Sequence, residues 1–316
     1  KVKTVLEGIK AKIGEGQVEY VKGCAVRDTN NCNIEAAVEA ARRADVVVAV
    51  VGGSSARDFK TSYKATGAAE ADVKSVSDMD CGEGYDRATL SLLGRQMELL
   101  QSLRKTGKPM VVIYIEGRPM DKSWAAANAD ALLTAYYPGQ EGGTAVADVL
   151  FGDYNPAGRL PISVAANVGQ LPVYYNKRAP KPHNYVEMSA APLYAFGYGL
   201  SYTQFAYSNL AIAKKGDAYS VTFDIKNVGE RDGEEVAQLY IHDQVASVSQ
   251  PLLQLKKFDR LSIAKRETRK VEFILTAEDL AIIDRNMKSV VEPGDFDIMV
   301  GGSSDNLPLR GVLTVE

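Results

Sequence analysis

The first half of the chain alternates between continuous apolar runs and segments with helical spacing. Residues 46–51 and Met110–Ile115 are apolar on both faces, which is typical of strands buried in a parallel sheet. The predicted strands lie at residues 18–21, 46–51, 110–115 and 130–137. Helical spacing occurs in two stripes: Ile34, Ala37, Val38 and Ala41, and then Leu93, Met97, Leu100 and Leu103. Strands that alternate with helices predict a mostly parallel, doubly wound α/β sheet over residues 1–160.

The second half of the chain has a period of two. Apolar residues alternate with polar ones in four segments: Val221, Phe223 and Ile225; Ala237, Leu239 and Ile241; Val271, Phe273 and Leu275; and Phe296, Ile298 and Val300. Short alternating strands separated by turn signals predict an all-β, immunoglobulin-like sandwich over residues 203–316. Residues 161–202 show no clean period and are interpreted as a structured linker.

Composition and charge exclude several classes of protein. The 316 residues are 46% hydrophobic and 24% charged, which is typical of globular domains, and the length corresponds to about two of them. A net charge of −3 gives no electrostatic reason to expect a nucleic acid as partner. No apolar run approaches the ~20 residues needed to cross a bilayer, so we expect no membrane span.

The cysteines and histidines predict neither a metal site nor a cofactor. Their spacing matches no common set of zinc ligands. Cys24 and Cys32 are near enough in sequence to form a disulfide across a short loop in an oxidising compartment. Free thiols at both positions are the alternative, and the sequence leaves the choice open.

The first residues of the chain have the pattern of a helix interior. Val5 and Ile9 lie one helical turn apart in a segment that starts with Lys1. Because a domain rarely starts inside a helix, we expect this chain to be a piece of a longer protein.

A long polar loop follows the strand at 46–51 and ends at about Asp86. Ligands bind beyond the carboxyl ends of the strands in an open parallel sheet, and loops of this length in a compact domain are more often functional than idle. Near the end of the loop, Gly82 and Gly84 flank Glu83, which lets the backbone turn tightly and expose the carboxylate. The alternative is that Glu83 is an ordinary solvated carboxylate.

The neighbours of Glu83 allow other interpretations. Asp86 and Arg87 are interpreted as a helix-start pair that caps and orients the chain. Tyr85 is suited either to packing or to stacking on a substrate, and Cys81 to packing. The loop contains neither GxxxxGK nor GxGxxG, so a nucleotide-binding α/β protein has little support.

Several motifs together resemble one enzyme family. Glu83-Gly-Tyr-Asp-Arg87, followed by Leu90-Ser-Leu-Leu-Gly-Arg-Gln96, resembles the segment of glycoside hydrolase family 3 that carries the acid/base glutamate. That family has E-G-x-D-R and then L-x-L-P-G-x-Q, so Leu93 stands here in place of a proline at the helix entry. Further segments agree in the same order along essentially the whole chain: Gly117-Arg-Pro119, Tyr137-Pro-Gly-Gln-Glu-Gly-Gly143, Gly152-Asp-Tyr-Asn-Pro-Ala-Gly-Arg-Leu-Pro161, Leu193-Tyr-Ala-Phe-Gly-Tyr-Gly-Leu-Ser-Tyr-Thr203 and Gly294-Asp-Phe-Asp.

The resemblance implies a retaining exo-β-glycosidase with three parts. These are an N-terminal (β/α)8 barrel, an α/β sandwich domain and a fibronectin type III-like domain; the last two match residues 1–160 and 203–316, and the barrel is expected to be absent from this chain. Glu83 would be the general acid that protonates the leaving-group oxygen and then the base that activates water. Asp86 would raise its pKa and Arg87 would lower it, so the sign of their combined effect is open.

The second carboxylate that such an enzyme needs is missing from the matched segments. A retaining glycosidase places its nucleophile about 5–5.5 Å from the acid/base, and in this family it is an aspartate on a barrel strand. The barrel, in the same enzyme or in a separate chain, is therefore an expected partner, and this chain alone is expected to be inactive.

The expected substrate is an oligosaccharide from plant polysaccharides with a terminal β-D-glucosyl or β-D-xylosyl residue. Arg57, Asp58, Tyr63 and Tyr85 are candidate contacts with this substrate, and ordinary exposed side chains are the alternative for each. A second hypothesis is a non-catalytic carbohydrate-binding or scaffold module that keeps the fold. Enzymes of this kind are often periplasmic or extracellular, which is the expected localisation.

Overall fold

The computed structural model describes residues 2–55, 63–67, 79–82, 86–178 and 185–316. The chain divides into two compact units. The α/β unit consists of Lys1–Tyr154 and Ala165–Leu171, and the β unit consists of Asn155–Val164 and Pro172–Glu316. The segment from 155 to 171 therefore contributes first to the β unit and then to the α/β unit.

The α/β unit is built on a three-stranded parallel sheet in the order β1-β2-β3. Its strands are β1 (Val47–Gly52), β2 (Met110–Ile115) and β3 (Ala131–Thr134). Its helices are α1 (Val5–Ile13), α2 (Ile34–Arg43), α3 (Gln96–Arg104), α4 (Ser123–Asn128) and α5 (Gly142–Phe151). The pairing of Gly52 with Ile115 and of Tyr114 with Thr134 brings the carboxyl ends of the strands to one edge.

The middle strand β2 is the centre of the α/β core. Its core-facing side chains have no exposed surface, and α2 and α3 pack against the same core through residues such as Ala37 and Leu100. The apolar runs at 46–51 and 110–115 are confirmed as parallel strands. In the described sheet β1 is an edge strand, and its Val50 is 45% exposed.

Two predictions for the first 21 residues were wrong. Residues 18–21 are irregular and form no strand. The first helix is not cut at its start, because residues 2–4 are not helical and α1 begins at Val5 with its own cap. The hydroxyl of Thr4 accepts a hydrogen bond from the Glu7 N–H (3.1 Å), and the Glu7 carboxylate accepts one from the Thr4 N–H (2.8 Å). This reciprocal capping satisfies the backbone donors that a helix leaves free at its start.

The β unit is a sandwich of antiparallel sheets. Its strands are β4 (Phe205–Lys215), β5 (Ala218–Asn227), β6 (Gly233–Asp243), β7 (Gln254–Ile263), β8 (Thr268–Leu275), β9 (Ile282–Ile283), β10 (Ser289–Val290), β11 (Gly294–Gly301) and β12 (Leu309–Val315), with a short helix α6 (Ala277–Leu280). One sheet has the order β4-β5-β8 and the other β12-β11-β6-β7, while β9 pairs with β10.

The period-two pattern is confirmed residue by residue. Every apolar member of the four predicted alternating segments is buried, and the two sheets share one apolar cluster. An α/β fold followed by a β-sandwich is therefore the architecture of the described chain.

Cys24 and Cys32 are not joined by a disulfide in the described chain, so the pairing that the sequence left open is not formed. Within the described part of the chain, no helix has both the length and the apolar character to cross a bilayer.

Candidate active site

A concave region of about 650 Å³ lies at the carboxyl edge of the parallel sheet. Its described lining comes from the segments after β1, β2 and β3 and from the end of the long loop. The lining residues are Ser55, Cys81, Gly82, Asp86, Gly117, Arg118 and Tyr137. Because ligands of open parallel sheets bind at this edge, the concavity is the candidate active site.

The close approach of β1 and β2 at this edge depends on Gly52. Its φ of +145° favours glycine, and a methyl group there would overlap the carbonyl oxygen of Ile115. At Gly53 a methyl group would overlap the carboxylate of Asp80. The buried amide of Gln96 accepts from the Gly52 N–H (2.8 Å) and donates to the Gly52 carbonyl (2.9 Å). The end of β1 is thereby fixed before the long loop begins.

A buried ion pair lies at the end of the long loop. The carboxylate of Asp80 and the guanidinium of Arg87 are 3.1 Å apart, and their side chains are 1% and 7% exposed. Asp80 Oδ1 accepts from the Ser54 N–H (2.8 Å), and the Asp80 N–H donates to the Ser54 carbonyl (2.8 Å). Arg87 also donates to the carbonyl oxygen of Ser91 (2.5 Å). Asp80 therefore connects the end of the loop to its beginning at β1.

A second ion pair lies in the wall of the concavity. Arg118 Nη1 donates to Asp86 Oδ1 at 2.8 Å, and the Arg87 N–H donates to the same oxygen at 2.7 Å. The Arg87 N–H first, and the Arg118 guanidinium second, hold the pKa of Asp86 below its usual value. The Asp86 side chain is nevertheless 82% exposed, so it presents a fixed negative charge to the open space.

A third ion pair is fully buried next to the concavity. Glu116 follows β2 directly, and its two carboxylate oxygens accept from Lys122 Nζ at 2.6 and 2.8 Å, with both side chains 1% exposed. The Met120 N–H donates to Glu116 Oε2 (3.0 Å). Burial lowers the pKa of Lys122, and the negative charge of Glu116 opposes that shift.

Two tyrosines follow β3. Tyr136 has a φ of +50°, which non-glycine residues rarely adopt. Its hydroxyl oxygen is buried without a hydrogen-bond partner among the described residues, and burial, helped by the charge of Glu116, raises its pKa. The ring of Tyr137 covers Gly117, where a methyl group would come within 2.7 Å of it. Strained backbone of this kind is often found at functional sites.

These groups suit a neutral polar ligand. The described ion pairs around the concavity balance in charge, which gives no attraction for a phosphate. Asp86 can accept hydrogen bonds, Arg118 can donate them, and the Tyr137 ring offers an apolar face. In the described ranges, no three His, Cys, Asp or Glu side chains are grouped as they would be around a metal ion.

Most of the site residues named from the sequence lie outside the described residues: Glu83, Arg57, Asp58 and Tyr85. Tyr63 is described and is 55% exposed, and the described lining of the concavity does not include it. The roles assigned to these five residues stay predictions.

The interpretation of Asp86 and Arg87 as a helix-start pair was wrong. The helix that follows them, α3, begins only at Gln96, and residues 88–94 lie between. Instead the two side chains form the ion pairs with Arg118 and Asp80. Asp86 is bound by Arg118, which follows β2, and Arg87 is bound by Asp80, which lies in the long loop itself.

The sequence prediction missed four residues of the site: Glu116, Arg118, Lys122 and Tyr137. A signal for them exists. The rule that ligands bind beyond the carboxyl ends of parallel strands applies to β2 and β3 as well as to β1, and these residues lie just after those two strands.

Two protein families match the chain. The glycosyl hydrolase family 3 C-terminal domain matches residues 1–202, and a fibronectin type III-like domain matches residues 235–304. The chain belongs to glycosyl hydrolase family 3. The family resemblance that the sequence motifs indicated is thereby confirmed, together with the α/β and fibronectin type III-like fold classes.

Relatives of this family 3 chain are longer proteins. A β-xylosidase from Formosa agariphila is 40% identical over 324 residues, which cover 99% of this chain and 42% of that enzyme. The periplasmic β-glucosidase of Salmonella typhimurium is 34% identical, over 95% of this chain and 41% of that protein. A solved β-glucosidase structure from Erythrobacter marinus has a TM-score of 0.85 and 35% identity, covering 100% of this chain and 44% of that one. The chain spans about two fifths of the length of these relatives.

Proposed function

We propose that this chain supplies the general acid/base, Glu83, to a retaining, exo-acting β-glycosidase. Its substrates would be oligosaccharides from plant polysaccharides that end in a β-D-glucosyl or β-D-xylosyl residue. One observation carries the proposal: Gly82 and Asp86, the described residues on either side of Glu83 in the sequence, both line the concavity. The names of the β-xylosidase and β-glucosidase relatives support the two sugars.

The proposed reaction has two steps. In the first, Glu83 donates a proton to the glycosidic oxygen while an aspartate attacks the anomeric carbon and forms a glycosyl-enzyme. In the second, Glu83 takes a proton from the water that releases the sugar. The two carboxylates suffice for both steps, so the mechanism uses neither a metal nor a cofactor.

The acid role requires that the pKa of Glu83 lie near neutrality. The neighbouring charges have opposite effects on it, and each has a partner: Asp86 pairs with Arg118, and Arg87 pairs with Asp80. Because pairing weakens both effects, we infer that the main increase comes from desolvation when substrate and barrel cover the concavity.

The nucleophilic aspartate is proposed to lie in a (β/α)8 barrel, in the same enzyme or in a separate chain. The described carboxylates near the concavity are poorly suited to act as the nucleophile. Asp80 and Glu116 are buried in ion pairs, and Asp86 is bound by Arg118. We therefore expect the chain alone to be inactive. The periplasmic relative supports a periplasmic or extracellular location.

The test is hydrolysis of aryl β-xylosides and β-glucosides by the pure chain, with and without the barrel region of its enzyme. Turnover is expected only with the barrel, and the ratio of kcat/KM values identifies the preferred sugar. Glu83→Gln should reduce kcat/KM by about 10²–10⁴-fold for poor leaving groups and far less for activated aryl groups, which leave without protonation. Glu35→Gln, at an exposed position on α2, is the matched control.

Three outcomes would change this account. An equal loss on good and poor leaving groups would contradict the acid role of Glu83. Sugar binding without turnover in the complete mixture would support a non-catalytic binding or scaffold module. Turnover by the pure chain would mean that the nucleophile lies within it.

A further inference from the structure

The buried pair Glu116–Lys122 has no part in the proposed reaction. All three donors of the Lys122 ammonium are used, two on the Glu116 carboxylate and one on the carbonyl of Met120 (3.3 Å). The ammonium also lies 4.6 Å from the centre of the Tyr114 ring. Replacing a buried ion pair with apolar residues often leaves a protein equally stable, so stability alone does not explain its presence.

The position of the pair suggests another role. Glu116 and Lys122 stand at the two ends of a short loop, residues 117–121, and the Met120 N–H adds a third connection to Glu116 (3.0 Å). That loop carries Arg118 into the wall of the concavity. Arg118 in turn binds Asp86, which follows the segment 83–85 in the sequence.

We propose that the Glu116–Lys122 pair is a positioning device, which fixes the loop 117–121 so that Arg118 holds Asp86 in the wall of the concavity. The link from the pair to Asp86 is made by the hydrogen bonds of Glu116 with Lys122 and Met120 and by that of Arg118 with Asp86. Only its consequence for catalysis, a fixed position for Glu83, rests on the proposed function.

The experiment measures the pKa of the Asp86 carboxyl, with carbon NMR on this chain as the method. All variants carry Glu83→Gln, so that no glutamate titrates beside Asp86 and the result does not depend on the role of Glu83. Arg118→Gln sets the reference shift, since it removes one of the two donors that lower the pKa of Asp86. The test variant is Glu116→Gln with Lys122→Met, which removes both buried charges together.

Loss of the pair in the test variant should raise the pKa of Asp86 by at least half of the shift that Arg118→Gln produces. The matched control is Arg159→Met with Glu235→Gln, which removes a buried pair from the β unit and should leave the titration unchanged. A test variant that is folded but titrates as the parent does would overturn the proposal. So would an equal shift in the control.

A second variant covers the case in which the test variant does not fold. Glu116→Gln with Lys122→Gln removes both charges but keeps a hydrogen-bonding side chain at each position, so that neither buried charge is left without its partner. It should shift the titration in the same direction by a smaller amount. An unchanged titration in this folded variant would overturn the proposal as well.

The consequence for catalysis is measured separately with the barrel region added. In the Glu83 background, Glu116→Gln with Lys122→Met should lower kcat about 10-fold or more on poor leaving groups with little change in KM, because small displacements of catalytic groups are costly. If Glu83 proves not to be the acid, the titration result still decides whether the pair positions Arg118.

Discussion

Buried charge and buried apolar surface lie in different regions of this chain. In the α/β unit, the ion pairs Asp80–Arg87 and Glu116–Lys122 are buried at the carboxyl edge of the sheet, beside the concavity. In the β unit, the space between the sheets is filled by an apolar cluster that contains Phe223, Leu239 and Ile298. Apolar packing is non-directional, whereas an ion pair with three or four hydrogen bonds fixes one loop path.

The buried ion pair of the β unit follows the same rule. Arg159 donates to Glu235 Oε2 at 2.6 Å, and the Tyr207 hydroxyl donates to Glu235 Oε1 at 2.7 Å. Arg159 belongs to the irregular segment Asn155–Val164, and Glu235 to β6. In both units, buried charge is thus found where an irregular segment meets a strand end or a strand.

The largest effect that tests this comparison is expected in the apolar cluster. Phe223 on β5 has no exposed surface, and its ring contacts those of Tyr207 and Phe273. Phe223→Ala removes the ring and leaves a cavity, so the free energy of unfolding of the β unit should fall by about 3–5 kcal/mol. Urea denaturation followed by far-UV circular dichroism measures the change.

The control for Phe223 is Phe258→Ala on β7. Phe258 is 68% exposed, so its loss should change the free energy of unfolding by less than about 0.5 kcal/mol. The single tryptophan, Trp124, packs against the core of the α/β unit and its fluorescence reports on that unit. A fluorescence transition that moves as far as the circular dichroism would show that the units unfold together, and the comparison would then fail.

The next effect concerns the buried charge of the α/β unit. Arg87→Met leaves the carboxylate of Asp80 buried without its cation, which should cost about 3 kcal/mol of unfolding free energy. Trp124 fluorescence in a urea titration measures it. Arg104→Met is the control, because Arg104 and Asp130 pair with side chains 39% and 52% exposed, and such pairs contribute about 0.5 kcal/mol or less. Equal costs for the two variants would contradict a special role for the buried pair.

The same contrast explains what could be predicted from the sequence. The β-sandwich follows from alternation alone, because a strand with one buried face must place every second residue inside. The two long apolar runs likewise identify the sheet and its carboxyl edge. These features depend on neighbours along the chain, which the sequence displays directly.

The partners of the site charges could not be predicted in this way. The rule for parallel strands brings the long loop and the end of β2 to one edge, but no pattern in either segment shows that Asp86 and Arg118 pair there. Glu116 and Lys122 resemble ordinary surface charges in a polar stretch, and burial becomes visible only once the path of the loop is known. The helix-start interpretation of Asp86 was wrong for this reason.

The smallest change in stability is expected from a substitution of the buried carboxyl at the end of β6. Asp243 is 6% exposed, and its Oδ2 has no hydrogen-bond partner among the described residues. Burial raises its pKa, and the charge of Glu292 adds to this, while the Val245 N–H and His242 oppose it. A carboxyl with a raised folded-state pKa costs nothing below its unfolded pKa of about 3.9, and the cost grows as the pH rises through the folded value.

Asp243→Asn should therefore stabilise the β unit by about 1 kcal/mol at pH 7 and by almost nothing at pH 3, because the amide keeps the shape of the side chain without its charge. Urea denaturation at both pH values, followed by far-UV circular dichroism, measures the difference. Asp217→Asn, in the exposed turn between β4 and β5, is the control and should give no such pH-dependent gain. A gain of equal size at pH 3 and pH 7 would show that the charge of Asp243 is not its cause.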